Sequence, residues 1–190
     1  VWNKWTWDDW PDGPGVSMHW RRNMEPMHKH VITAMVQNEP GVLAHVAGMF
    51  AARGFNIDSL VVGRTERPDV SRMTIVVVAD DRTLEQVRKQ LAKIIAVLKV
   101  RDFTDVAYVQ RDLMLIRIHA KSDKRGEVLE LATLFRGRVV DVAPTSVMIE
   151  LAGDEEKLEA FMELARPYGI VEMARTGVIA MPRGRQSGDA

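Results

Sequence analysis

No cysteine occurs in the 190 residues. That removes disulfides, thiolate metal sites and cysteine nucleophiles together, and it fits a reducing compartment. Net charge is missing as well. The 26 basic and 26 acidic side chains cancel, so no global field draws the chain to nucleic acid or to an anionic membrane. No apolar run is long enough to span a bilayer, and no basic, apolar and small-residue succession marks a signal peptide. The expected location is the cytoplasm. Phosphate-loop, dinucleotide-binding, zinc-peptidase and serine-hydrolase motifs are all absent. The sequence therefore assigns no catalytic residue, no metal ligand and no cofactor to this chain.

Aromatic residues are few, 6% of the chain, and their distribution is uneven. All five tryptophans (Trp2, Trp5, Trp7, Trp10, Trp20) fall in residues 1–27 among Pro, Gly, Asp and Arg, with no periodicity. Two readings stand: a non-essential, poorly ordered extension ahead of a start near Met24 or Met27, or a docking segment whose indoles bind a partner. The chain as a whole is 46% hydrophobic, ordinary for a packed protein.

The rest is organised around Asn38 to Leu60, NEPGVLAHVAGMFAARGFNIDSL. Asn38 reads as an N-cap and Pro40 as an early helical position, where its missing amide hydrogen costs nothing. Val42, Leu43, Val46, Met49 and Phe50 then recur at helical spacing, and Arg53-Gly54 closes the helix with a cation and a C-terminal glycine. Strands are expected at His30 to Gln37 before it and Phe55 to Val62 after it. A polar Pro-containing turn leads to a third strand, Ser71 to Val78. Thr83-Leu84-Glu85-Gln86 reads as a capping box for a helix with Leu84, Val87, Leu91, Ile94, Ile95 and Leu98 inward, and a strand from Lys99 to Val106 follows.

The same β-α-β-β-α-β order recurs from Leu113. Met114, Ile116 and Ile118 alternate as a strand, a helix with Val128, Leu131, Ala132 and Phe135 inward closes at Gly137, and Arg138–Val142 pairs with Ser146–Leu151. Asp154 caps a helix that Pro167 stops, and Ile170 to Thr176 ends the repeat. The fold class is α+β: tandem ferredoxin-like (βαββαβ) domains, at 28–107 and 112–180, with residues 107–112 joining them and a polar tail at 181–190. Each unit has a small core and one uncovered sheet face, for which side-by-side sheet pairing is the expected remedy.

Several residues invite chemistry. His28 and His30 form an H-x-H pair, read as solvated on a strand edge because a zinc site needs three or four ligands. Arg117, Lys121 to Arg125, Arg136 and Arg138 would either hold a phosphate-bearing effector or simply face solvent. RNA-recognition modules share the element order but stack bases on aromatics of the two central strands, and neither His30–Gln37 nor Ser71–Val78 holds an aromatic ring. At the start of the first helix, free amides and the dipole suit a carboxylate, and Gly41 allows close approach. Asn38 and, from a neighbouring chain, Asn56 would grip a free amino acid; alternatively Asn38 caps the helix and Asn56 serves a turn.

The run NEPGVLAHVAGMFAARGFNIDSLVV, followed by Ser71-Arg72-Met73-Thr74-Ile75, Phe135-Arg136-Gly137, Asp141-Val142 and Arg175-Thr176-Gly177, resembles the small regulatory subunit of acetolactate synthase (acetohydroxyacid synthase). The resemblance covers about His30 to Arg183. It implies an N-terminal ACT domain, a C-terminal ACT-like domain, a homodimer through the ACT domains, and binding to a separate catalytic subunit carrying thiamine diphosphate, magnesium and often FAD. It also implies activation of that enzyme in branched-chain amino-acid biosynthesis and valine feedback inhibition, with Asn38, Gly41, Val42, Asn56 and Ile57 as valine contacts. Ala44-His45 stands where family members often have Ser-Arg, which leaves open which amino acid is sensed. A free-standing ACT-type sensor of a different enzyme is the alternative.

Overall fold

The computed structural model describes residues 27–184. Both readings of the Trp-rich segment therefore lie outside the described residues, Met27 excepted. Two βαββαβ units follow one another. The first comprises β1 (His28–Gln37), α1 (Val42–Ala51), β2 (Ser59–Arg64), β3 (Val70–Ala79), α2 (Asp81–Leu91) and β4 (Val97–Asp102). The second comprises β5 (Tyr108–His119), α3 (Arg125–Leu134), β6 (Arg138–Val142), β7 (Ser146–Gly153), α4 (Glu155–Ala165) and β8 (Ile170–Arg175), with a short β9 (Ile179–Pro182) after it. Strand orders are β2-β3-β1-β4 and β6-β7-β5-β8, antiparallel throughout, with β9 paired to the start of β5. This is the tandem ferredoxin-like α+β fold that the repeated pattern implied.

Each sheet buries one face under its own helices. Ile32, Ala34 and Val36 of β1 and Met73, Ile75 and Val77 of β3 meet Val46 and Phe50 of α1 and Leu84, Val87 and Leu91 of α2. Met114, Ile116 and Ile118 of β5 and Val147, Ile149 and Leu151 of β7 meet Val128, Ala132, Leu158 and Phe161. Alternation along β1 and β5 puts every second side chain into these cores. Burying each Val, Leu, Ile, Met or Phe side chain among them stabilises by about 1.5–3 kcal/mol.

The other face of the first sheet is covered from within the chain. Val31 and Val76, paired across β1 and β3, pack with Phe103, Val178 and Ala180, and Val106 and Tyr108 lie against them. Residues 107–112, expected as a joint, and the first residues of the expected tail are thus strands: Tyr108–Arg111 pairs with Ile179–Pro182 to form a ribbon. The signal was Val178-x-Ala180, too short an alternation to stand out from a polar tail.

Helix boundaries depart from the sequence reading in instructive ways. Asp80, not Thr83, caps α2, its carboxylate accepting from the Thr83 amide at 2.6 Å. The helix then ends at Leu91, so Ile94 turns inward while Ile95 is 94% exposed and Leu98 half-exposed. Leu43, assigned to the buried face of α1, is 45% exposed. Arg53 lies beyond the end of α1, where Gly54 (φ 67°) reverses the chain, although its guanidinium still reaches the Met49 carbonyl. After α3 it is Arg136 (φ 55°) that turns left-handed; Gly137 follows, where a Cβ would stand 3.0 Å from Ile149 Cγ2. No helix among the described residues is long and apolar enough to cross a membrane.

Candidate effector site at the first helix

Four helix starts can be compared. α2 and α4 carry aspartate N-caps, Asp80 and Asp154, each accepting from the amide three residues on. α3 has no side-chain cap but carries Glu127 in its first turn. α1 alone among the described α-helices has neither a side-chain cap nor an acidic residue in its first turn. Its N-cap is Gly41, held at φ 86°, ψ −14°, a conformation that costs a residue with a Cβ about 1–2 kcal/mol. The positive end of the α1 dipole and its leading amides are thus offered to an anion from outside.

Asn38 does not cap this helix. The Pro40-Gly41 turn intervenes, and Asn38 is instead fastened to the β2–β3 connection: its Nδ2 donates to the Pro68 carbonyl at 3.0 Å and its backbone amide to the Asp69 carbonyl at 2.8 Å. The Asn38 side chain is otherwise exposed. Val42 is buried in the core, so a ligand can reach only its backbone, whose amide makes a long contact of 3.5 Å to the Glu39 carbonyl. Asn56 and Ile57 precede β2, which starts at Ser59 rather than at Phe55. Phe55 leans edge-on against Phe50, Ile57 packs half-buried on the core, and the Asp58 amide donates to the Val76 carbonyl at 2.9 Å, which leaves Asn56 exposed.

Asn38–Val42 and Asn56–Ile57 stand at opposite ends of a ten-residue helix, about 15 Å apart along its axis. One protomer cannot close both ends around a single amino acid. β2 is the outer strand of its sheet, and Val62 on it and Leu43 on α1 are each exposed near half.

The other candidates fall elsewhere. His30 is buried, not solvated, because β1 is a central strand: its Nε2–H donates to the Ala79 carbonyl at 3.1 Å and its Nδ1 lies 3.2 Å from Thr104 Oγ1. The basic side chains of the second unit are not gathered into one site. Arg117 pairs with Asp141, Arg138 with Glu150 and Lys124 with Glu127, while Arg125 donates to the carbonyls of Ala120, Ala143 and Pro144. Lys124 and Tyr168 both hydrogen-bond Glu127, which lowers the glutamate's pKa and raises theirs. Ala44 and His45 line a groove between α1 and α2.

Sequence reasoning missed the junction between the units. Lys29 Nζ bridges Asp58, next to Ile57, at 3.0 Å and Glu155 at the start of α4 at 2.7 Å. Burial works against its charge, but the two carboxylates prevail and its pKa is raised. Gly177, at φ 85°, sits so close to β2 that a Cβ would lie 2.6 Å from Ser59 Oγ. No local sequence signal marks contacts between residues more than a hundred positions apart.

Residues 32–99 match the family described as AHAS small subunit-like ACT domain, and residues 111–184 match the small subunit of acetolactate synthase. A probable acetolactate synthase small subunit of Archaeoglobus fulgidus is 57% identical over 158 residues, 83% of this chain and 99% of its own length. An acetolactate synthase small subunit of Aquifex aeolicus is 51% identical over 158 residues, 83% of this chain and 82% of its own. The crystal structure of the acetolactate synthase small subunit from Thermotoga maritima superimposes with a TM-score of 0.77 at 40% identity, covering 84% of this chain and 99% of that one.

Proposed function

The chain belongs to the acetolactate synthase small-subunit family, and on that premise we propose that its N-terminal unit is the effector-binding half of an allosteric subunit, with valine as effector. It is a regulatory subunit of acetolactate synthase, and a free-standing sensor is not favoured, since relatives named as small subunits match along up to 99% of their length. The partner is the catalytic subunit. In this reading that partner carries thiamine diphosphate, magnesium and FAD, and the assembly works in the cytoplasm.

The observation that carries the effector reading is the start of α1, the one described α-helix start with neither a carboxylate cap nor an acid in its first turn. The valine carboxylate takes the leading amides of α1 past Gly41, with the backbone of Val42 among them, and Asn38 supplies its side-chain oxygen to the ammonium group. Asn56 and the half-buried Ile57 come from a second protomer, paired through the free β2 edge, and close the site on the isopropyl side. Two protomers are required because the two residue sets lie at opposite ends of α1. Ala44 and His45 line the α1–α2 groove, and in this reading their departure from Ser-Arg leaves the contacts of Asn38, Gly41 and Val42 in place. Valine acts by binding two states of the assembly unequally, with a coupling of about 1–3 kcal/mol.

The test is acetolactate formation by the cognate catalytic subunit, alone and with this protein, across a valine titration. Activation that valine reverses is the expected result. Asn38→Ala should raise the inhibitory valine concentration about tenfold, the loss of one hydrogen bond to a charged group, and leave activation intact. Equal loss of inhibition and activation would refute a dedicated effector site, and no effect of the wild-type protein would return the reading to the free-standing sensor.

A further inference from the structure

We infer that the groove between α1 and α2 is the surface on which the catalytic subunit docks, and that it receives an apolar segment flanked by acidic side chains. A separate enzyme subunit as partner follows from the regulatory reading above; the place of docking follows from the groove. It encloses about 900 Å³, and Ala44, Gly48, Met49, Ile94 and Ala96 supply its apolar lining. His45, Arg53 and Lys93 stand on its rim against the single acid Glu39. An acidic partner is therefore attracted and a basic one repelled.

Two further features point to an occupant. Gly48 lies within α1, where glycine weakens a helix, and nothing in this chain asks for it: a Cβ there would meet no atom within 4 Å. Glycine in that position keeps the floor open for a closely approaching chain. Ile95, 94% exposed, borders the same groove, because α2 ends at Leu91 and the following turn points Ile94 inward and Ile95 outward. An aliphatic knob beside an apolar cleft with a charged rim has the composition of an interface centre. Two other surfaces of this unit are spoken for. The β2 edge is assigned to the second copy, and the sheet face away from the helices is covered by the β5–β9 ribbon at Val31 and Val76.

The experiment is a titration of the full chain against the cognate catalytic subunit, reading dissociation constant and activation together, with valine binding to the regulatory subunit alone measured by calorimetry. Gly48→Trp fills the groove without demanding a new backbone conformation, and Ile95→Asp removes the knob. Each should weaken association at least tenfold with valine affinity unchanged, and Lys93→Glu should weaken it several-fold, more so at low salt. Leu134→Asp, an equally drastic change at an aliphatic residue 74% exposed on the second unit, should have no effect. If Gly48→Trp fails to fold, Ile95→Asp and Lys93→Glu decide. Wild-type affinity in those variants, or equal weakening by Leu134→Asp, overturns the groove while leaving the regulatory function standing. Failure of the wild-type chain to bind the catalytic subunit overturns both.

Discussion

The two units share one topology and differ at their first helix. α1 opens on a left-handed glycine with no carboxylate in its first turn, whereas α3 opens from Lys124 with Glu127 already in its first turn. Glu127 is held there by Lys124 at 2.8 Å and by the Tyr168 hydroxyl at 3.0 Å. The same fold thus has an acid-free first turn at α1 in one unit and Glu127 in the first turn of α3 in the other. In the reading proposed above, a few residues at one helix start are what separate an effector site from a structural turn.

The comparison breaks most visibly in the cores. Phe50 leans on Phe55 and Phe161 on Phe135, both pairs edge-on, and both Phe50 and Phe161 are buried. Truncating either to alanine should cost about 3–5 kcal/mol in chemical denaturation. Phe50→Ala should also abolish valine binding, because Phe55 leads directly into Asn56; Phe161→Ala should leave it measurable in whatever fraction stays folded. Equal effects on binding would mean that the units do not divide the work.

One substitution should have opposite signs at the two helix starts. Gly41→Ala meets no steric neighbour but must hold φ 86°, so it should destabilise by about 1–2 kcal/mol. Gly126→Ala, inside α3 with equally open space around it, should stabilise by about 0.5–1 kcal/mol. Paired urea melts decide this, and the same sign at both sites would contradict the geometry assigned to α1.

A smaller change should make α1 resemble α3. Leu43→Glu places a carboxylate in the first turn of α1 at an exposed position, which should stabilise the helix by about 0.3–1 kcal/mol. At the same time it should weaken valine binding at least tenfold in calorimetry. Gained stability with unchanged affinity would show that the ligand carboxylate does not use this pole.

Least in size is the response to acid. Glu127 has its pKa lowered from the ordinary 4.5, first by Lys124 and then by Tyr168, and Asp80 from 3.8 by the Thr83 amide. A lowered folded-state pKa contributes stability above the unfolded value that disappears as pH falls through the folded one. Stability should therefore decline as pH drops below about 4.5, with Glu127→Gln and Asp80→Asn flattening the decline. The start of α1 holds no acid in its first turn to add to that slope.

Periodicity made most of this architecture legible. Ile32, Ala34 and Val36, or Met114, Ile116 and Ile118, reveal their faces by alternation alone, and Asp154 announced its helix. Boundaries decided by competition between neighbours were harder to read. Asp80 outcompeted Thr83 as cap because its carboxylate reaches the Thr83 amide, and the early end of α2 turned Ile95 from a core residue into a surface one. At the candidate site, Gly41 and Asn38 were legible as residues, but their roles were exchanged: the glycine occupies the cap and the asparagine ties down a distant loop. The Lys29 bridge and the seat of Gly177 on β2 depend on how the two units meet, and no period in the chain encodes that.

The most direct test of the account is a valine titration of the full-length chain followed through its backbone amide resonances. Amides of Val42 to Ala44 and of Asn56 to Asp58 should shift together and saturate at one affinity, while those of Gly126 to Val128 at the start of α3 stay fixed. Shifts concentrated at α3, or at neither helix start, would contradict the division of labour between the two units.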